Sequence, residues 1–168
     1  GFEYLVFENE SVAIWFLHVK HGHGTSMHCH PRKKTSIIVL TGEAVCTTFG
    51  HRNNFKGLDA IILERGVFHS TKALSLDGVN LIEIETPPNK TDLIRFGDAY
   101  GRESSAYEGL SEMKTGNLEE FGHFYVGNLR KGERKTYRGD VYEIVFKSLA
   151  DTEMLILSDS KPHNILYA

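Results

Sequence analysis

The sequence predicts an all-β fold in which short antiparallel strands build a sandwich or barrel. Three observations carry that expectation. Short runs rich in Val, Ile, Phe, Tyr and Thr recur along the chain, turn signals separate them about every ten residues, and little in the first hundred residues has a helical pattern.

In chain order the runs are "EYLVF", "VAIWFLHV", "SIIVL", "AVCTTF", "AIIL" and "VNLIEIE", separated by "ENES", "KHGHG", "PRKK", "LTGE", "HRNN", "ERG" and "SLDG". Gly, Asn, Asp and Pro dominate these separators because they tolerate the dihedrals that reverse a chain. The run "VAIWFLHV" at 12–19 is apolar at nearly every position, so a strand there is covered on both faces. A second protomer and a flanking segment of the same chain are both candidate covers. Only "NKTDLIRFGDAYG" at 89–101 reads as helical or irregular. Beyond Arg102 a polar stretch at 103–115 reads as a connection. Residues 116–168 read as a β-rich extension of the first sheet, or as a reduced second copy of it.

A length of 168 residues fits one domain with an appendage, and 40% apolar with 11% aromatic residues suffices for a core. A formal charge of −3 gives no footprint for nucleic acid or an anionic membrane. No apolar run reaches the ~18 residues of a membrane helix. Two cysteines make no disulfide framework, so a soluble cytoplasmic protein is expected.

His28 and His30 lie one residue apart, so on a strand they share a face while Cys29 takes the other. Cys29 therefore reads as a packed thiol. His69 comes 39 residues after His30, behind the glycine turn in "ERGVFH". Three neutral imidazoles on neighbouring strands make a site for one divalent transition metal (Zn, Fe, Ni or Mn) with positions left open. His18, His21, His23 and His51 sit at strand ends and loop tips and read as surface residues. His123 reads as an ordinary half-buried histidine. No base and orienter can be placed for a Ser or Cys nucleophile.

These marks resemble the cupin superfamily. Its first motif appears as Gly22, five residues, His28-Cys29-His30, four residues, Thr35, six residues and Gly42, with Thr35 where the motif has glutamate. Its second motif is matched loosely by Gly57, "ERG" at 64–66 and His69, with Glu64 in the proline position and Ala73 in the asparagine position. "LIEIETPPNKTDLIRFGDAYGR" at 81–102 and the "GFEY" opening resemble the cupin domain of mannose-6-phosphate isomerases fused to guanylyltransferases. Asp92, Arg95, Asp98, Tyr100, Gly101 and Arg102 carry that likeness. The resemblance implies a cupin-type antiparallel jelly-roll barrel over 1–102 and a metal held by His28, His30 and His69. It also implies a small carbohydrate substrate in bacterial surface-polysaccharide biosynthesis, and a homodimer is expected.

The branch carries a carboxylate and a further histidine where this chain has Thr35 and Ser36. Aldose–ketose isomerisation needs a base and a cation for the developing oxyanion. Glu83 and Glu85 alternate onto one strand face and are the candidate catalytic carboxylates. Lys34, Thr35, Arg95 and Arg102 are the candidate substrate-binding residues, the cations suiting phosphate. The Arg side chains have structural pairing with Asp92 and Asp98 as an alternative. Two other functions stay open: a three-histidine ferrous dioxygenase or lyase, and a non-catalytic sugar-binding module.

Overall fold

The structure is a computed structural model, and it describes residues 1–97, 101, 129–138 and 143–148. Ten strands of the first hundred residues form two antiparallel sheets: β1 (Phe2–Glu8), β2 (Ala13–Val19), β3 (Met27–Cys29), β4 (Lys34–Thr41), β5 (Glu43–Thr48), β6 (Arg52–Lys56), β7 (Ala60–Leu63), β8 (His69–Ala73), β9 (Val79–Thr86) and β10 (Ile94–Gly97). One sheet runs β1-β2-β9-β4-β7 and the other β10-β3-β8-β5-β6. The expected all-β jelly roll is therefore present, and residues 94–97, read as helical or irregular, are its edge strand on β3.

Strand alternation sorts the side chains of the first sheet. Ala13, Trp15, Leu17, Ile37, Val39, Val79 and Leu81 face inward and join Ala44 and Ala73 of the second sheet in the core. Phe16, Leu40, Ile82 and Ile84 face outward with Tyr4, Val6 and Val12 in a second apolar cluster. That cluster explains why "VAIWFLHV" is apolar on both faces. Its cover includes Leu129, Ile144 and Phe146 of the same chain. The latter two lie on β12 (Glu143–Lys147), which pairs with β11 (Arg134–Arg138) as a separate two-stranded sheet. The rest of 116–168, with His123, lies outside the described residues.

Two glycines hold the frame of the site. Gly42 joins β4 to β5 at φ +83°, and a Cβ there would sit 2.5 Å from the Gly78 carbonyl oxygen. Gly66 turns at φ +75° before β8, and its N–H donates to the His30 carbonyl at 2.9 Å. The turn that delivers His69 is thus tied to the strand end that delivers His30. Among the described residues no helix is long and apolar enough to cross a membrane.

Candidate metal centre

His28 and His69 are register partners on β3 and β8, so their side chains project together into the barrel. His30 stands just past β3. The three ring centroids lie 4.4–5.4 Å apart, and one nitrogen from each lies within 4.8 Å of the others. All three rings are buried.

Their hydrogen bonds set the tautomers. His28 Nδ1 donates to the Ser26 carbonyl at 2.8 Å, His30 Nδ1 to the Asp92 carbonyl at 2.6 Å, and His69 Nδ1 to the Val67 carbonyl at 3.0 Å. A carbonyl oxygen only accepts, so each proton sits on Nδ1 and each Nε2 keeps its lone pair. His30 Nε2 is buried with no hydrogen-bond partner. Burial, with His69 and His30 adding their charges, pushes His28 down to about 3; burial, then Lys33, pushes His30 down to about 3. Burial lowers His69 as well. Three neutral imidazoles with convergent lone pairs fit a divalent transition metal, and the orphaned Nε2 is the atom such an ion would satisfy.

Around the histidines the wall is charged. Thr35 faces inward on β4 opposite Glu85 of β9, and Ile37 lies opposite Glu83. Glu83 lines a cavity of about 10 Å3 with Leu17, Thr25, His28, Ile37, His69, Thr71 and Leu81. That is room for one water-sized centre. Burial opposes ionisation of Glu83, but Lys90, Lys33, His28 and His69 outweigh it and hold the carboxyl below its ordinary value. Glu85 is 1% exposed and its Oε1 lies 2.6 Å from Lys33 Nζ, which is equally buried. Lys90 Nζ reaches the same oxygen at 3.5 Å and Glu3 at 3.6 Å, and it stands 4.0 Å over the Trp15 ring.

The remaining expected residues separate. Thr35 is 1% exposed with its hydroxyl unpartnered, so it belongs to the interior wall. Lys34 points outward, 46% exposed and 2.9 Å from Glu64. Arg95 is the register partner of His28 on β10 and so shares its face. Arg102 lies outside the described residues. His18 bonds Asn80 through Nδ1 at 2.8 Å while His21, His23 and His51 are exposed, and Cys29 is buried away from the centre.

Two residues of the site were missed from sequence. Lys33 fell within the turn separator "PRKK", and only its position one residue before β4 distinguishes it from Lys34. Asp92 looked like a partner for Arg95. Instead its Oδ2 accepts from the Arg32 and Lys33 amides at 2.7 and 3.0 Å while its carbonyl takes the His30 ring. Asp92 thus fixes the turn that carries both His30 and Lys33.

Fold and site together define a cupin-type double-stranded β-helix with a candidate three-histidine metal centre. The sequence matches no family model and no curated protein. Solved structures resemble its fold. BH2720 from Bacillus halodurans superposes with a TM-score of 0.52 at 15% identity, over 53% of this chain and 72% of that one. The DMSP lyase DddQ from Ruegeria pomeroyi DSS-3 gives 0.51 at 19%, over 56% of this chain and 51% of the lyase. These are likenesses of fold, and this chain spans about half of the lyase.

Proposed function

We propose that this protein is a metal-dependent cupin enzyme that isomerises or epimerises a sugar phosphate or nucleotide sugar in bacterial surface-polysaccharide biosynthesis. The convergence of three Nε2 lone pairs, each fixed by a backbone carbonyl, is the observation that carries the metal. When bound, the ion would supply a Lewis acid for the substrate oxyanion.

The chain supplies the proton chemistry. Glu83, ionised and facing His28 and His69 across the cavity, is the base. In isomerisation it takes the proton as a substrate C–H bond breaks and returns it to the neighbouring carbon, while the hydroxyl proton passes between the two oxygens; in epimerisation a water protonates the opposite face of the carbon and the Glu83 proton is released to solvent. Glu85 is engaged by Lys33 and orients the wall. The cavity is too small for a sugar ring, so only the reacting end of the substrate reaches inward, and Arg95 and Arg102 serve its anionic end.

The test is elemental analysis of purified protein, then turnover of hexose phosphates and nucleotide sugars by the loaded protein and its Glu83→Gln variant. About one metal per chain, lost in His28→Ala, and a rate reduced at least a hundredfold in Glu83→Gln support the reading. No metal binding sinks it. The lack of a carboxylate at position 35 favours a second reading, a three-histidine ferrous dioxygenase. Substrate-dependent oxygen uptake would select it. Metal and sugar binding without turnover would select a non-catalytic module.

A further inference from the structure

The outer faces of the two sheets are finished differently. That of the first is covered by Leu129, Ile144 and Phe146 of the same chain. On the second, Phe49 after β5, Phe68 before β8 and Phe96 on β10 form one aromatic cluster. Their ring centroids lie 4.9–5.9 Å apart. Ile94 extends the cluster along β10, and its register partner Cys29, facing out of β3, is buried. Phe49, Ile94 and Phe96 are 63%, 51% and 68% exposed. Large apolar side chains gathered in one exposed patch, unlike single ones, mark a contact surface.

Charge of one sign borders this patch. Arg52 is the register partner of Thr47, two residues before Phe49, and Lys72 is that of Val45. Both are exposed on the outer face, and neither has an acidic partner among the described residues. Among the strands of that face the outward carboxylate is Glu43, at the far end of β5 and opposite Lys56. The whole-chain charge of −3 averages this cationic border away.

A second copy of the chain fits the patch poorly. Phe49 and Phe96 together leave on the order of 300 Å2 of aromatic surface, against the roughly 800 Å2 that each partner of a stable complex contributes. It would also bring Arg52 and Lys72 against a face with no carboxylate beside its aromatic cluster. A bilayer demands no such matched area. Apolar side chains enter at headgroup depth while Arg and Lys meet anionic lipid.

We propose that the outer face of the second sheet docks on an anionic lipid surface, with the phenylalanine cluster and Ile94 entering it and Arg52 and Lys72 on the headgroups. Phe68 directly precedes His69, and Phe49 follows Thr48, the register partner of His69. Docking therefore holds the histidine end of the barrel beside the headgroups. The inference is independent of the metal reading above.

The full chain is sedimented with phosphatidylcholine vesicles, with and without phosphatidylglycerol. Binding is expected with phosphatidylglycerol, at least tenfold weaker without it, and weakened by salt. Phe49→Ser/Phe96→Ser and Arg52→Glu/Lys72→Glu are each expected to weaken it at least tenfold. Ile62→Ser removes an equally exposed apolar side chain from the other sheet, and Lys20→Glu reverses an exposed charge after β2. Both are expected to bind like the parent. All of these sites are exposed, so the variants are expected to fold, which circular dichroism checks. No binding to phosphatidylglycerol vesicles, equal binding to neutral ones, or binding indifferent to the Phe or the Arg/Lys variant overturns the proposal. So does a dimer in analytical ultracentrifugation that Phe49→Ser/Phe96→Ser dissociates, which would assign the patch to a second copy.

Discussion

The two ends of β9 do opposite things on one face. Val79 and Leu81 close the apolar core, whereas Glu83 and Glu85 put two carboxylates into the interior four residues further along. β4 repeats the contrast, with Val39 at the apolar end and Thr35 at the charged end. The same alternation and the same register thus supply the apolar core at one end of the barrel and the charged candidate site at the other. Burial of apolar area holds the first end. The second end contains groups that resist burial and is kept in place by specific partners.

The contrast breaks most plainly when one member of the buried pair is removed. Glu85→Ala strands the Lys33 ammonium and is expected to lower stability by about 3–5 kcal/mol, whereas Lys33→Met/Glu85→Gln should come close to the parent. Chemical denaturation of the three proteins measures it. Leu81→Ala, at the other end of the same strand, is expected to cost about 2–5 kcal/mol while leaving the metal content of the folded protein unchanged. A variant folded at Leu81→Ala but emptied of metal would show that the two ends are coupled.

Acid should act on the charged end. His28 and His30 are held near 3, below the ordinary 6.5 of an unfolded histidine. Between those values the unfolded chain binds protons that the folded one refuses. The stability contribution is therefore full above about pH 6.5 and is lost as the pH falls toward 3, by roughly 2 kcal/mol per ring at pH 5. Melting of the metal-free protein at pH 7.5 and pH 5 checks the sign. Metal should be released over the same range, since protons compete for the lone pairs. The smallest effect belongs to Lys34→Ala. Its exposed pair with Glu64 should be worth less than about 1 kcal/mol, with no change in metal binding.

The parts legible in sequence are those written locally. Two histidines one residue apart must share a strand face, and a glycine turn before His69 starts a new strand, so the three histidines that the fold brings together could be named. The covered outer face of β2 could be inferred from its unbroken apolar run. What it packs against could not, because Ile144 and Phe146 arrive from over a hundred residues away. The roles of Lys33 and Lys34 were missed because the pair straddles the start of β4, and a one-residue shift exchanges interior for solvent. Asp92 was hidden for another reason: it acts on backbone amides, which leave no mark in a side-chain pattern.

The hydrogen bonds behind the three imidazoles limit how this centre can diverge. Many metal sites orient a histidine with a carboxylate, which evolution can exchange for an amide or a hydroxyl and so retune the ligand. Here main-chain carbonyls of Ser26, Val67 and Asp92 do it. Substituting those residues leaves the carbonyl in place, so ring orientation and proton placement are largely sheltered from mutation. Inherited variation in reactivity must then enter through the wall at positions 33, 35, 83 and 85, where single codon changes alter charge without disturbing the donors.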